Sequence, residues 1–165
     1  MAEKDLTAAR LRELLDYDPA DGQLRWRVNR KRARAGALAG TARQDGYQAV
    51  GVDGAHYSAH RLAWLHVHGS WPRHQIDHVD GDRSNNRLAN LRDVEHDINA
   101  QNQRSARSIS RSGMLGAHRP KGSAKWAAQI KVAGKISHLG MFESRELAHE
   151  AYVAAKRKLH AGCTL

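Results

Sequence analysis

The 165-residue chain has one cysteine, few aromatic residues (5%) and no long apolar run. Cys163 cannot form a disulfide within the chain or a cysteine-based zinc finger, so a metal would need histidine, carboxylate, amide or water ligands. The absence of any stretch of 18 or more apolar residues excludes a membrane-spanning helix. The N-terminal segment is charged and lacks an apolar signal core, so we expect a cytoplasmic protein.

Positive charge is in excess, and it is unevenly distributed. The formal net charge is +10; residues 1–103 contain 15 basic and 14 acidic residues, whereas residues 104–165 contain 12 and 3. Such a balance favours a polyanionic partner, and nucleic acid is the first candidate. We predict a near-neutral, histidine-rich domain over 1–103, a Ser/Arg-rich linker at 104–112 and a basic domain over 113–165.

Two basic clusters are open to two interpretations each. The linker contains Arg104, Arg107 and Arg111, which either follow DNA phosphates or are simply solvated. A second cluster surrounds a predicted strand at 24–28. It consists of Arg25, Arg27, Arg30, Lys31, Arg32 and Arg34. This cluster is either a solvent-facing surface or a contact to the DNA backbone.

Residues 76–102 predict a small ββα unit. The pattern indicates a strand at 76–79, a polar loop, a strand at 91–94 and a helix from Glu95. Folding of this unit can bring Asp77 and His78 beside a helical residue such as Asn99. Carboxylate and amide oxygens suit Mg²⁺, and a neutral histidine can take a proton from water near neutral pH. These residue types favour phosphodiester cleavage.

This segment resembles the HNH endonucleases of the homing and phage-borne type, which have a ββα-metal site. The resemblance extends over about residues 17–103, with the core at about 74–103, and rests on these residues: Tyr17-Asp18-Pro19, Gly22, Leu24-Arg25-Trp26, Gly46-Tyr47, the run 59–64, Asp77-His78, Gly81, Asn86, Asn90-Leu91 and Asn99. It implies that His78 is the general base and that Asp77 and Asn99 bind one divalent metal, Mg²⁺ or Mn²⁺. It further implies that Asn90 holds the loop between the strands.

The resemblance also implies the reaction and its setting. The expected activity is hydrolysis of double-stranded DNA to 5′-phosphate and 3′-hydroxyl ends, in a bacterial or phage-infected cell. One active site faces one strand, so a monomer should nick, and a double-strand break needs a second protomer or binding event. We expect a monomer or weak dimer. His74 and His96 are interpreted as bystanders, and His60 as a residue that packs against or orients the site.

Residues 113–165 predict strands at 125–132 and 136–139, followed by a helix with Ser144 as its N-cap. Alternation places Trp126, Ala128, Ile130 and Val132 on a face covered by the helix. Lys125, Ala127, Gln129 and Lys131 form the outward face. The helix should cover the sheet with the apolar side formed by Leu147, Ala148, Ala151, Tyr152, Ala155 and Leu159.

This region resembles APETALA/ERF-type DNA-binding domains, in which a three-stranded sheet backed by one helix lies in the major groove. The matching residues are Gly116, the run 125–130, the run 139–142, Ala148 and Ala151-Tyr152. By position, the residues expected to face DNA are His118, Arg119, Gln129, Lys131, Lys135 and His138, with Tyr152 reaching a phosphate. His138 stands where a tryptophan is usual and several of the family's arginines are missing, so the base preference does not transfer.

The expected fold class is α+β: small β-hairpins and the ββα-metal unit, followed by the three-stranded sheet and its helix. The alternative function is a non-catalytic, sequence-specific DNA-binding or regulatory protein on a degenerate HNH scaffold. A structural zinc module is a weaker third interpretation, because cysteine ligation is absent and the histidine spacing is irregular. The intact trio of Asp77, His78 and Asn99 favours the enzyme.

Overall fold

A computed structural model describes residues 6–106 and 109–164. The described chain is of the α+β class, as predicted, with four α-helices and ten short strands in four small antiparallel sheets. It divides into two compact units, residues 1–96 and 97–165, called here the N-terminal and C-terminal units. The domain limits drawn from composition, with a linker at 104–112, stay a prediction.

The N-terminal unit is built from short helices and hairpins. Before the predicted ββα segment it contains α1 (Ala8–Leu14), β1 (Leu15–Asp18), β2 (Gln23–Trp26), β3 (Thr41–Ala42), β4 (Gln48–Val52), β5 (Ala55–Ser58) and α2 (Ala59–His68). β1 pairs with β2, and β3, β4 and β5 form a three-stranded sheet in that order. A hairpin turn at Asp53-Gly54 joins β4 to β5, and both residues have a positive φ, as a tight two-residue turn requires.

The apolar periodicity of these elements produces one core. Leu11 of α1, Leu15 of β1, Val50 of β4 and Leu62 of α2 are completely buried in it. Helix α2 ends at Gly69, whose left-handed backbone lets its N–H bond to the carbonyl of Leu65. This core supports the ββα segment, whose Ile76 and Leu91 also belong to it.

The elements predicted for residues 76–102 are all present. They are β6 (Gln75–His78), a short 3₁₀ turn (Leu88–Asn90), β7 (Leu91–Val94) and α3 (His96–Gln101). β6 and β7 are antiparallel, so that Asp77 lies opposite Arg92 and His78 opposite Leu91. From Asp97 onward, α3 belongs to the C-terminal unit.

The C-terminal unit has the predicted three-stranded sheet and single covering helix. Its elements are β8 (Ala117–His118), β9 (Trp126–Val132), β10 (Lys135–Phe142) and α4 (Arg145–Leu159), with the strand order β10-β9-β8. Ala117, Ala128 and Ala148 form the centre of its small core. The Ser144 side chain accepts a hydrogen bond from the backbone N–H of Leu147, which confirms the predicted N-cap.

Three details of this unit differ from the sequence prediction. Ala127, predicted on the outward face, is only 2% exposed, because its methyl group lies in register between Met141 and His118. Leu147 and Leu159, predicted on the covered side of α4, are 47% and 51% exposed. The buried stripe runs instead through Ala148 to Lys156, since residues at steps of four share one helical face.

Across the described ranges, no helix combines the length and the apolar character that crossing a bilayer requires.

Candidate active site

His78 is the best-positioned catalytic candidate of the N-terminal unit. It lies at the C-terminal end of β6 and is 3% exposed. Its Nε2 atom is 3.1 Å from Oδ1 of Asn86, which is itself 2% exposed. The backbone carbonyl of Asn86 accepts a hydrogen bond from the hydroxyl of Tyr17 on β1. The carboxamide therefore orients the imidazole ring and is in turn held against the core.

Two further rings pack around His78. The His60 ring from α2 meets it edge to face at a centroid distance of 5.2 Å, and the Tyr47 ring lies 5.9 Å from it. Burial lowers the pKa of His60 to about 3, with smaller contributions from His78 and Arg61, so His60 is neutral at pH 7. Its Nδ1 atom is buried without a hydrogen-bond partner in the part of the chain that the structure describes. His60 thus packs against His78, as the sequence interpretation expected.

Asp77 is paired with a cation on the neighbouring strand. Nε and Nη2 of Arg92 both donate to Oδ2 of Asp77, at 2.9 and 2.7 Å. The Asp77 side chain is 9% exposed and that of Arg92 is 26% exposed. Since the two residues are register partners across β6 and β7, the sheet itself positions this ion pair.

Asn90 ties together the loop that connects the two strands. Its Nδ2 atom donates to Oδ1 of Asp80 and to the carbonyl of Asn85, and its Oδ1 accepts from the backbone N–H of Asp80. Its own carbonyl accepts from the N–H of Val79. One buried side chain therefore joins the residues at both ends of the loop.

The carboxylate of Asp80 is held in its charged form by the same network. Burial works to raise its pKa, but hydrogen bonds from Asn85, from the Asp82 backbone and from Asn90 outweigh this effect, so the pKa is below its ordinary value. Hydrogen bonds from the hydroxyl and backbone of Ser84 likewise lower the pKa of Asp82. The loop beside His78 therefore carries two ionised carboxylates at neutral pH.

The exposed side chain of Arg83 lies near the rings of Tyr47 and His78. The guanidinium of Arg83 lies 4.9 Å from the centre of the Tyr47 ring, and its Nη1 atom donates to the carbonyl of Asp45 at 2.7 Å. These contacts hold Arg83 on the surface in the neighbourhood of His78, because Tyr47 contacts both residues.

The donor chemistry of the predicted metal ligands fits a hard divalent cation. Asp77 supplies carboxylate oxygen, and Asn99, on α3, supplies an amide oxygen. Within residues 6–106 and 109–164, no group of three or more His, Cys, Asp or Glu side chains is arranged to hold a metal.

Four of the predicted DNA-facing residues share one open face of the C-terminal sheet. His118 pairs with Ala127 and His138 pairs with Gln129, and cross-strand partners point to the same side. Gln129 and Lys131 are exposed on that side of β9, opposite the buried Ile130. We call the surface formed by His118, Gln129, Lys131 and His138 the open sheet face.

The remaining predicted contacts lie elsewhere in the unit. Lys135 is exposed but pairs with Val132, so it belongs to the other side of the sheet at the hairpin end. Tyr152 packs its ring against Gly116, where a side chain would leave no room for the ring. Arg119 donates to the carbonyls of Ser123 and Ala124.

The predicted arginines of the linker differ in their surroundings. Arg104 is bound to Thr164 through two hydrogen bonds. Arg111 is exposed. Arg107 lies outside the described residues.

Sequence reasoning missed several residues that shape the His78 environment. Asn86 was matched to the family pattern but not included in the site, although its position in the polar loop eight residues after His78 was a usable signal. Tyr47 and Arg92 come from a different hairpin and from β7, respectively. No local spacing indicates that they meet the site, because tertiary packing and strand register decide those contacts.

Comparison with known proteins gives one match. Residues 57–101 match a family model described as HNH endonuclease. The matched segment includes α2, β6, the loop held by Asn90, β7 and α3. No curated protein matches the chain, and no solved structure matches it.

Proposed function

We propose that the chain is a metal-dependent DNA endonuclease of the HNH type that cuts phosphodiester bonds to leave 5′-phosphate and 3′-hydroxyl ends. The observation that carries the proposal is the placement of His78. This imidazole lies buried at the end of β6 and is oriented by Asn86, and the buried Asp77 directly precedes it in the strand. The family match over 57–101 supports the same class of reaction.

His78 is proposed as the general base. The Asn86 contact and the packing of His60 and Tyr47 restrict the imidazole to one orientation, which reduces the entropy that productive alignment with a water molecule would cost. His78 takes a proton from that water, whose oxygen attacks the scissile phosphorus in line with the departing 3′ oxygen. The bond from phosphorus to the 3′ oxygen breaks, and the departing oxygen takes a proton from solvent to become the 3′-hydroxyl. Asn86 and His60 act as positioning residues.

Asp77 and Asn99 are proposed to hold one divalent cation, Mg²⁺ or Mn²⁺. When bound, such an ion neutralises developing charge on the phosphate and on the departing oxygen. Arg92 forms an ion pair with the Asp77 carboxylate across the β6–β7 pair and so fixes the position of an oxygen donor that is only 9% exposed.

The C-terminal unit is proposed to recognise duplex DNA, in the manner of APETALA/ERF-type domains. Its antiparallel three-stranded sheet backed by α4 leaves the open sheet face uncovered by the helix. Gln129 can bond to base edges in the major groove, and Lys131 to a phosphate. The neighbouring Ile136 is 65% exposed and provides an apolar contact of the kind that a thymine methyl group accepts.

One observation favours the alternative of a non-catalytic DNA-binding protein. Nε and Nη2 of Arg92 both donate to Asp77, the residue that would bind the metal. If this ion pair persists on DNA, the HNH segment serves as a scaffold and the C-terminal unit provides the activity. The two functions differ in whether His78 is needed for anything beyond folding.

Nicking of a supercoiled plasmid distinguishes them. We expect wild-type protein with Mg²⁺ or Mn²⁺ to convert the plasmid to the open-circular form, and chelator to stop the reaction. His78→Ala should lower the rate by at least about 10²-fold, the scale of a lost general base, while DNA affinity is retained. His74→Ala is the matched control, because His74 is exposed four residues away and should not affect the rate. Equal rates for wild type and His78→Ala would overturn the assignment.

A further inference from the structure

The six basic residues around β2 fall into two groups in the structure. Three of them are used by the fold. Arg25 pairs with Asp21, and Arg27 pairs with Asp16. Arg30 donates to the carbonyl of Gly51 and lies 4.1 Å from the centre of the Trp26 ring.

The other three basic residues lie at the tip of a short projection. Arg30 and Ala33 exchange backbone hydrogen bonds of 2.7 and 3.3 Å, so Lys31 and Arg32 form a two-residue turn between them. Oδ1 of Asn29 accepts the backbone N–H of Ala35 at 3.0 Å and closes the base of the projection. We call residues 29–35 the basic finger.

The finger is attached to the core on both sides. On one side it follows β2 directly, and Arg30 anchors it through Trp26, which is 7% exposed. On the other side, the returning chain pairs with β2: the N–H of Gly36 bonds to the carbonyl of Trp26, and that of Ala39 to the carbonyl of Leu24. The finger is thus a hairpin fixed to the core at both ends. Its backbone therefore loses little conformational entropy when a partner binds.

Lys31, Arg32 and Arg34 are exposed at the tip. Their side chains make no ion pair or hydrogen bond with any described residue, and residues 29–40 contain no Asp or Glu. Three like charges within four residues repel one another, and no Asp or Glu of the described ranges forms an ion pair with them. The structure therefore concentrates positive charge at an exposed turn, where an external anion can approach it.

We propose that the basic finger binds the phosphate backbone of duplex DNA, independently of base sequence. The choice of DNA as the polyanion rests on the proposed function. Flexible lysine and arginine side chains suit phosphate oxygens, and binding releases the counterions condensed on DNA.

The position of the finger indicates that it contacts phosphates away from the scissile one. β2 begins next to Gly22, whose Cα is packed so tightly on the backbone of Asn86 and Arg87 that a Cβ would collide with it. Because Asn86 orients His78, the start of β2 lies on the side of His78. The finger follows the other end of β2. Four strand residues separate these ends by about 13 Å. Loss of the finger charges should therefore weaken DNA binding and leave the chemical step unchanged.

The test measures the salt dependence of DNA binding by the full chain in a His78→Ala background, which prevents cleavage. Fluorescence anisotropy with a labelled duplex of about 30 base pairs gives Kd from 50 to 300 mM KCl. The triple variant Lys31→Gln, Arg32→Gln, Arg34→Gln should lower the slope of log Kd against log salt by about 2 to 3, near 0.9 per lost phosphate contact. The charge-preserving exchange Lys31→Arg, Arg32→Lys, Arg34→Lys should leave the slope unchanged.

A pair of single variants controls for net charge. Arg32→Gln and Arg73→Gln remove the same charge from two exposed arginines of the N-terminal unit. Only Arg32→Gln should reduce the slope, by about 0.9. The role of the finger would be overturned by an unchanged slope in the triple variant or by equal effects of the two single variants. Plasmid nicking by the wild-type protein would still support the proposed function in that case. A parent protein that binds no duplex at all would overturn both proposals.

Discussion

His60 and His78 meet edge to face inside the N-terminal unit, with their ring planes at 82° and their centroids 5.2 Å apart. His60 comes from the first turn of α2 and His78 from the end of β6, so the contact joins the helix to the strand that carries the proposed base. A buried and neutral imidazole in this position makes folding sensitive to acid.

We predict that His60 lowers the stability of the protein as the pH falls below 7. The folded-state pKa is about 3, whereas the unfolded chain binds this proton near pH 6.5, so acid favours the unfolded state. This group alone should reduce the free energy of unfolding by about 2 kcal/mol between pH 7 and pH 5. Urea denaturation at several pH values measures it. His60→Gln should flatten the profile by that amount, and parallel profiles would contradict the prediction.

The Asp77–Arg92 pair should be strongly coupled. Arg92→Met removes the cationic partner of a carboxylate that is only 9% exposed and should cost about 3 kcal/mol. Asp77→Asn combined with Arg92→Met should recover a large part of this loss, because no buried charge then loses its partner. The exposed pair Arg43–Asp45 provides the control, since Arg43→Met should cost less than about 1 kcal/mol. Strict additivity in the double-mutant cycle would show that the pair is not coupled.

Asn90 should be the main structural residue of the loop. Asn90→Ala removes three part-buried side-chain hydrogen bonds, including the one accepted from the N–H of Asp80, so it should destabilise the protein by about 2 to 3 kcal/mol. Asn85→Ala removes only exposed hydrogen bonds, one to the same carboxylate and two long ones from Arg87, and should cost less than about 1 kcal/mol. Denaturant midpoints compare the two variants, and equal losses would exclude a special role for Asn90.

A fourth prediction concerns the glycine under the Tyr152 ring. Gly116 has a φ of +72°, and an added Cβ would collide with that ring, so Gly116→Ala should cost about 3 kcal/mol. Gly122 has a similar φ of +76° with nothing within 4 Å, so Gly122→Ala isolates the backbone strain and should cost only about 1 kcal/mol. Thermal unfolding measures both. Similar losses would mean that Tyr152 moves aside freely.

The local sequence was sufficient for most elements. Apolar patterning and an N-cap residue predicted the strand that carries Asp77 and His78 and the helix that begins after Ser144. These features depend on periodicity and on backbone preferences, which act between residues close in the chain. The same patterns failed for α4, where the buried stripe includes Lys156 and omits Leu147 and Leu159.

Tertiary structure alone decided which side chains are used by the fold and which remain available. In sequence, the basic residues from Arg25 to Arg34 are equivalent; in the structure, Arg30 lies over Trp26 while Arg32 is exposed at a hairpin tip. The pairing of Asp77 with Arg92 likewise follows from strand register, and the contact of His60 with His78 follows from the docking of α2. Residue type determines what chemistry is possible, but distances between residues remote in sequence arise only when the whole core has packed.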